Sequence, residues 1–211
     1  MKEQLHLKAR AFDLDDTLIV GRETFTRASS LIMSRILSHH LPNLEIAHIA
    51  GLNLNHSRVN LPINSLKERI SFELHARSKV YPGVIDELEK IADSGTDIYG
   101  NTGRPHKGDW VDMTEETLRR GGVAEYFRGV FYTPDGIRTA VSKAHAVLEL
   151  TERYEQVEFD DDDPGTAYFI ANLFPRVKVN LVKHRFTGLF VSRSELDKLP
   201  NLRRVAVFGK R

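Results

Sequence analysis

The order of apolar and polar residues predicts an α/β chain: a parallel sheet covered by helices, with an all-helical insert after the first strand. Three observations carry this expectation. Residues 7–12 alternate, then run apolar, and empty into an acidic turn, Asp13-Leu14-Asp15-Asp16-Thr17. From residue 81 onward, strand-like segments alternate with helical ones, the pattern of a parallel sheet with both faces covered. Between these two regions, residues 19–80 show helical spacing and no credible strand.

Composition narrows the field. At 211 residues and 41% hydrophobic, the chain can bury a sizeable core, and a mean hydropathy of −0.34 suits a soluble protein. Thirty basic residues against 29 acidic give a net charge of +1, which offers no electrostatic footprint for nucleic acid or a membrane surface. The absence of cysteine excludes disulfides and thiolate metal sites. The first residues carry no apolar leader and no run approaches a bilayer span, so the expected location is cytoplasmic.

Taken in order, the elements follow from spacing. Residues 7–12 form the first strand. Apolar residues at 28, 31, 32, 36 and 37 predict a helix over 24–40, which Pro42-Asn43 ends. A second helix is predicted over 62–79, with Asn64 or Ser65 as N-cap and Leu66, Ile70 and Leu74 on one face. Helices are then expected at 84–94, 109–121 (closed by Gly121-Gly122), 139–153 and 165–173. The alternating strands fall at 96–101, 129–132, 156–159 and 177–182, with edge strands at 187–191 and 204–208.

Four places along this order carry chemistry. Asp13 and Asp15, two apart at a strand exit, can share a side while Leu14 packs inward, and such crowding invites a cation or a raised pKa. At the end of the second strand, Thr102-Gly103 offers a hydroxyl and backbone N–H groups suited to phosphoryl oxygens. Arg104 beside them could fork onto a phosphate or a substrate group, or lie solvated in the loop. Lys143 stands near the start of a helix, as solvent decoration or as a counter-charge, whereas His145 faces elsewhere on that helix. The run Asp160-Asp161-Asp162-Asp163-Pro164 follows a strand, and so many adjacent carboxylates require a cation or basic groups in answer.

Together, in this order, Phe12-Asp13-Leu14-Asp15-Asp16-Thr17-Leu18, Thr102, Lys143 and Asp161-Asp162-Asp163-Pro164 resemble the four motifs of the haloacid dehalogenase (HAD) phosphotransferases. The resemblance implies a Rossmann-like core, residues 1–18 and 81–211, and makes 19–80 a helical cap. It implies that Asp13 is the nucleophile, Asp15 the acid and base, and that Thr102, Gly103 and Lys143 bind phosphate, with Lys143 and Thr102 also assisting catalysis. It implies Mg²⁺ on the Asp13 carboxylate, the Asp15 carbonyl and Asp162, with Asp161 beside it. The fourth motif departs from the family's other form, because Thr166 stands where a further acid would fall, and this leaves open which of Asp161, Asp162 and Asp163 touches the metal. Asp160 is expected to be solvated or to face a helix, and Asp16 to be a solvated turn residue.

The activity so implied is hydrolysis of a phosphate monoester of a small metabolite through an aspartyl-phosphate. Asp15 argues for phosphate esters over carbon–halogen bonds, which need no acid for an alkoxide. The alternatives are a phosphatase for a macromolecule, a phosphomutase, and a non-catalytic binding module on the same fold.

Overall fold

Six strands form one parallel sheet among the described residues: β1 (Lys8–Phe12), β2 (Asp97–Pro105), β3 (Phe127–Thr133), β4 (Gln156–Asp161), β5 (Lys178–Lys183) and β6 (Leu202–Ala206). They lie in the order β3-β2-β1-β4-β5-β6. The helices are α1 (Val84–Asp93), α2 (Gly108–Arg120), α3 (Thr139–Arg153) and α4 (Pro164–Leu173). The computed structural model describes residues 7–20, 72, 75–183 and 197–206. The chain divides into two units, Met1–Val20 with Lys79–Arg211, and Gly21–Ser78. The helix predicted over 24–40 and the strand at 187–191 lie outside the described residues; from the helix predicted over 62–79, Phe72, His75 and Ala76 are described and helical, whereas Arg77, Ser78 and Lys79 are not, so the helix stops short of its predicted end.

The predicted helices match α1 to α4 to within one residue at each end. Their stops are chemical. Gly122 takes φ 68°, its N–H donates to the Arg119 carbonyl, and the Val123 N–H donates to the Leu118 carbonyl, a Schellman closure of α2. Asp163 caps α4, accepting from the Thr166 N–H at 2.9 Å, with Pro164 at the first helical position.

Two core layers sandwich the sheet. Ala9 and Ala11 of β1 face one layer with Val157, Phe159, Val179, Leu181, and the α3 and α4 residues Val147, Leu150, Ala167 and Ile170. Phe12, on the alternate face, packs with Ile98, Leu118 and the α1 residues Val84, Leu88 and Ile91. No described helix is long and apolar enough to cross a membrane.

The strands differ more from expectation. β4 runs on to Asp161, because Asp160 and Asp161 pair with Asn180 and Leu181 of β5. β2 runs through Thr102 and Gly103 to Pro105, which lies opposite Thr133 after an irregularity in the ladder. β6 begins at Leu202 rather than 204. Charged and Thr-Gly stretches read as turns in a sequence, but a central strand with two partners holds its extended form through them.

The winding sets the position of the site. β1 is followed by β2 on one side, and its other neighbour, β4, arrives only after β3. The connections therefore diverge at β1, and the crevice at the carboxyl ends of such strands is where open α/β sheets take ligands.

Candidate active site

Asp13 leaves β1 with its N–H still donated to the Asp160 carbonyl of β4 at 2.7 Å, so the strand's ladder extends to the acid itself. The turn beyond closes through the Leu14 carbonyl, which accepts from the Leu18 and Ile19 N–H groups, and through the Asp16 N–H, which donates to the Ile19 carbonyl. Asp16 adopts φ 60°, the left-handed conformation that aspartate tolerates better than most residues. Asp13 and Asp15 are both buried.

Lys143 joins β1 to β4. Its Nζ lies 2.9 Å from Asp13 Oδ1 and 2.8 Å from Asp161 Oδ2, and its side chain is buried. Burial alone would discharge the ammonium, but the charges of Asp13 and Asp161 outweigh it and raise the lysine's pKa. Asp161 Oδ1 accepts the Asp163 N–H at 2.8 Å, tying the acid to the turn that starts α4. The Asn101 amide donates to the Lys143 carbonyl at 3.2 Å and fixes the first turns of α3 against β2.

Asp162 completes the group. Carboxylate oxygens of Asp13, Asp161 and Asp162 lie within 4.8 Å of one another. Burial pushes the Asp162 carboxyl up to about 10, with the charges of Asp13, Asp161 and Asp16 adding to it. Burial, opposed by Lys143 and reinforced by the charges of Asp161 and Asp15, raises the Asp13 carboxyl to about 8 in all.

Thr102 is buried, its Oγ1 accepts the Arg104 N–H at 3.2 Å, and its carbonyl accepts from the Thr133 hydroxyl at 3.0 Å. A Cβ on Gly103 would sit 2.9 Å from Thr139 Cγ2, so any other residue here requires the exposed Thr139 side chain at the start of α3 to shift.

Two residues depart from the sequence reading. Arg104 lies neither in solvent nor free for a ligand: it is 3% exposed and forks onto Asp15, with Nε 2.8 Å from Oδ2 and Nη2 2.6 Å from Oδ1. Asp160 is neither solvated nor turned to a helix. It is fully buried, and it receives Arg10 Nε and Nη2 at 2.8 Å each and the Asn180 amide at 3.0 Å. The reason is register: Phe12 lies opposite Asp160, which sets Arg10 and Asp160 on one face of neighbouring strands. Arg10, a charge inside a buried strand, was the sequence signal for that partner.

The donor set tests the implied metal. Four carboxyl groups, Asp13, Asp15, Asp161 and Asp162, meet two buried cations, Lys143 and Arg104, so two acids are in excess and a divalent ion would let them ionise. The free donors are hard oxygens, so the residues fit a divalent hard cation such as Mg²⁺.

No protein-family model matches the chain, and no curated protein matches its sequence. Solved structures do match. A haloacid dehalogenase-like family hydrolase from Streptococcus pneumoniae superposes with TM-score 0.61 at 16% identity, covering 95% of this chain and 94% of that one. The chain has the fold of the HAD-like hydrolases. CbbY from Rhodobacter sphaeroides, solved with phosphate, gives 0.57 at 18% identity, over 94% and 92% of the two chains. A candidate β-phosphoglucomutase from Thermotoga maritima gives 0.58 at 16% identity, over 94% of each. The HAD-like core expected from the motif order is thus the architecture found.

Proposed function

We propose that this chain is a Mg²⁺-dependent phosphatase that hydrolyses a phosphate monoester of a small metabolite through an aspartyl-phosphate. One observation carries the reading: Asp13, at the carboxyl end of the central strand, shares the buried Lys143 with Asp161, and carboxylate oxygens of Asp13, Asp161 and Asp162 converge within 4.8 Å. Asp13 attacks phosphorus in line, and the bond to the ester oxygen breaks as Asp15 gives that oxygen its proton. Asp15 then takes a proton from the water that attacks the acyl phosphate, releasing phosphate and regenerating Asp13. Asp13 and Asp162 would hold Mg²⁺, which supplies charge neutralisation for the phosphoryl group. Lys143 keeps Asp161 and Asp13 paired, and Thr102 with the Gly103 N–H receives phosphoryl oxygens. In this reading residues 19–80 filter substrates.

The test is a panel of phosphorylated metabolites with Mg²⁺, run beside Asp13→Asn. Release of phosphate that the variant abolishes supports the reading, and near wild-type turnover by the variant excludes Asp13 as nucleophile. Phosphate moved within a sugar phosphate, without release, would favour the mutase that one structural neighbour is named for.

A further inference from the structure

Arg104 does more at this site than balance charge. Its guanidinium meets the Asp15 carboxylate edge to edge, with one nitrogen on each oxygen, at 2.8 and 2.6 Å. The remaining terminal nitrogen, Nη1, donates to Thr114 Oγ1 on α2 at 3.0 Å. That hydroxyl in turn donates to the Trp110 carbonyl at 2.7 Å, so its own direction is fixed. Arg104 and Thr114 are both buried, and the Arg104 N–H also reaches Thr102 Oγ1.

A carboxylate on a two-torsion side chain can present either oxygen in many directions. Here its plane is set by the guanidinium plane, and that plane is set by α2. We propose that Arg104, held by Thr114, is the positioning residue that aims Asp15 at the leaving oxygen. The inference rests on the phosphatase reading above. The fork removes rotation of the carboxylate as a whole and so holds its oxygens in one orientation. A link from helix through arginine to the acid also explains why a buried arginine stands directly behind the phosphate-binding turn. A role in charge alone would be served by one contact; the geometry supplies three.

Kinetics on an aryl phosphate and on an alkyl phosphate, with Mg²⁺, separate the roles. Arg104→Met and Arg104→Lys should each lower kcat on the alkyl ester by about 10- to 100-fold with KM within about threefold, the size expected of a misaimed group. The loss on the aryl ester, whose leaving group needs little proton, should be smaller. Thr114→Val, which keeps every charge, should give a loss of the same pattern but of about 3- to 10-fold. In an Asp15→Asn background, adding Arg104→Met should change kcat by less than about twofold, because there is no acid left to aim.

Losses that multiply in the Asp15→Asn background would overturn the inference, as would a raised KM with kcat intact, which marks a substrate contact. Should Arg104→Met fail to fold, Arg104→Lys and Thr114→Val carry the same comparison. A wild-type protein silent on every phosphate ester would remove the phosphatase reading and this inference with it; an active one with multiplicative losses overturns the inference alone.

Discussion

Lys143 is the residue on which the site's charge balance turns. It is the shared partner of Asp13 and Asp161, and removing it leaves two buried carboxylates facing each other. Lys143→Met should therefore abolish turnover and cost about 3 kcal/mol of stability, the lower end for breaking a buried ion pair, measured by urea unfolding. Asp162 should behave in the opposite sense for stability. Its carboxyl is pushed up by burial and by neighbouring acids, so Asp162→Asn should raise the melting temperature of the metal-free protein while losing Mg²⁺ activation. Loss of both would show Asp162 to be structural. Asp160→Ala should leave the Mg²⁺ dependence of activity unchanged and destabilise the fold by about 3 kcal/mol, because Arg10 would lose its bidentate partner. The sequence could have shown more of Lys143 than it was read to show. Lys143, Val147 and Leu150 are all buried at i, i+4 and i+7, so the lysine stands on the apolar stripe of its helix and not on the solvent face. His145, off that stripe, is exposed.

At the scale of elements, helices were legible nearly to the residue because their apolar spacing is local and two of them declare their own stops: Gly122 beyond α2, Asp163-Pro164 before α4. Strand ends were not, since a parallel strand's length is set by partners far away in the chain, as β5 sets that of β4. The same dependence hid Arg104 and Asp160, whose partners lie 89 and 150 residues away in sequence. The contact between β2 and α3 permits a direct test. Gly103→Ala would bring a methyl against Thr139 Cγ2 and press on the start of α3, the helix that carries Lys143. Activity should fall about tenfold or more with the fold retained. Adding Thr139→Ala, which removes the clashing methyl, should restore most of it; absence of rescue would exclude this steric route.

For the whole molecule, net charge conceals an uneven distribution. The chain carries +1 in total, while its centre gathers four carboxyl groups, Asp13, Asp15, Asp161 and Asp162, against two buried cations. Asp13 and Asp162 lie near 3.8 in the ordinary state and are raised to about 8 and about 10 in the fold. Between those values the folded state holds more protons than the unfolded one, so the stability of metal-free protein should fall as pH rises from about 4 to about 10. A bound divalent cation favours the ionised acids and cancels this loss. Melting curves with chelator and with Mg²⁺ should thus separate more at pH 8.5 than at pH 5.5; equal separation would place the ion elsewhere.

The bond from the Asp13 N–H to the Asp160 carbonyl carries the ladder one residue past the end of β1, tying the proposed nucleophile to β4 and not leaving it on a loop that opens on its own. Its amide should exchange with deuterium only when the sheet as a whole comes apart, among the slowest in the chain. Heat inactivation should then track global unfolding: a population of molecules losing activity would consist of intact enzyme and unfolded chains, without a folded, inactive form between them.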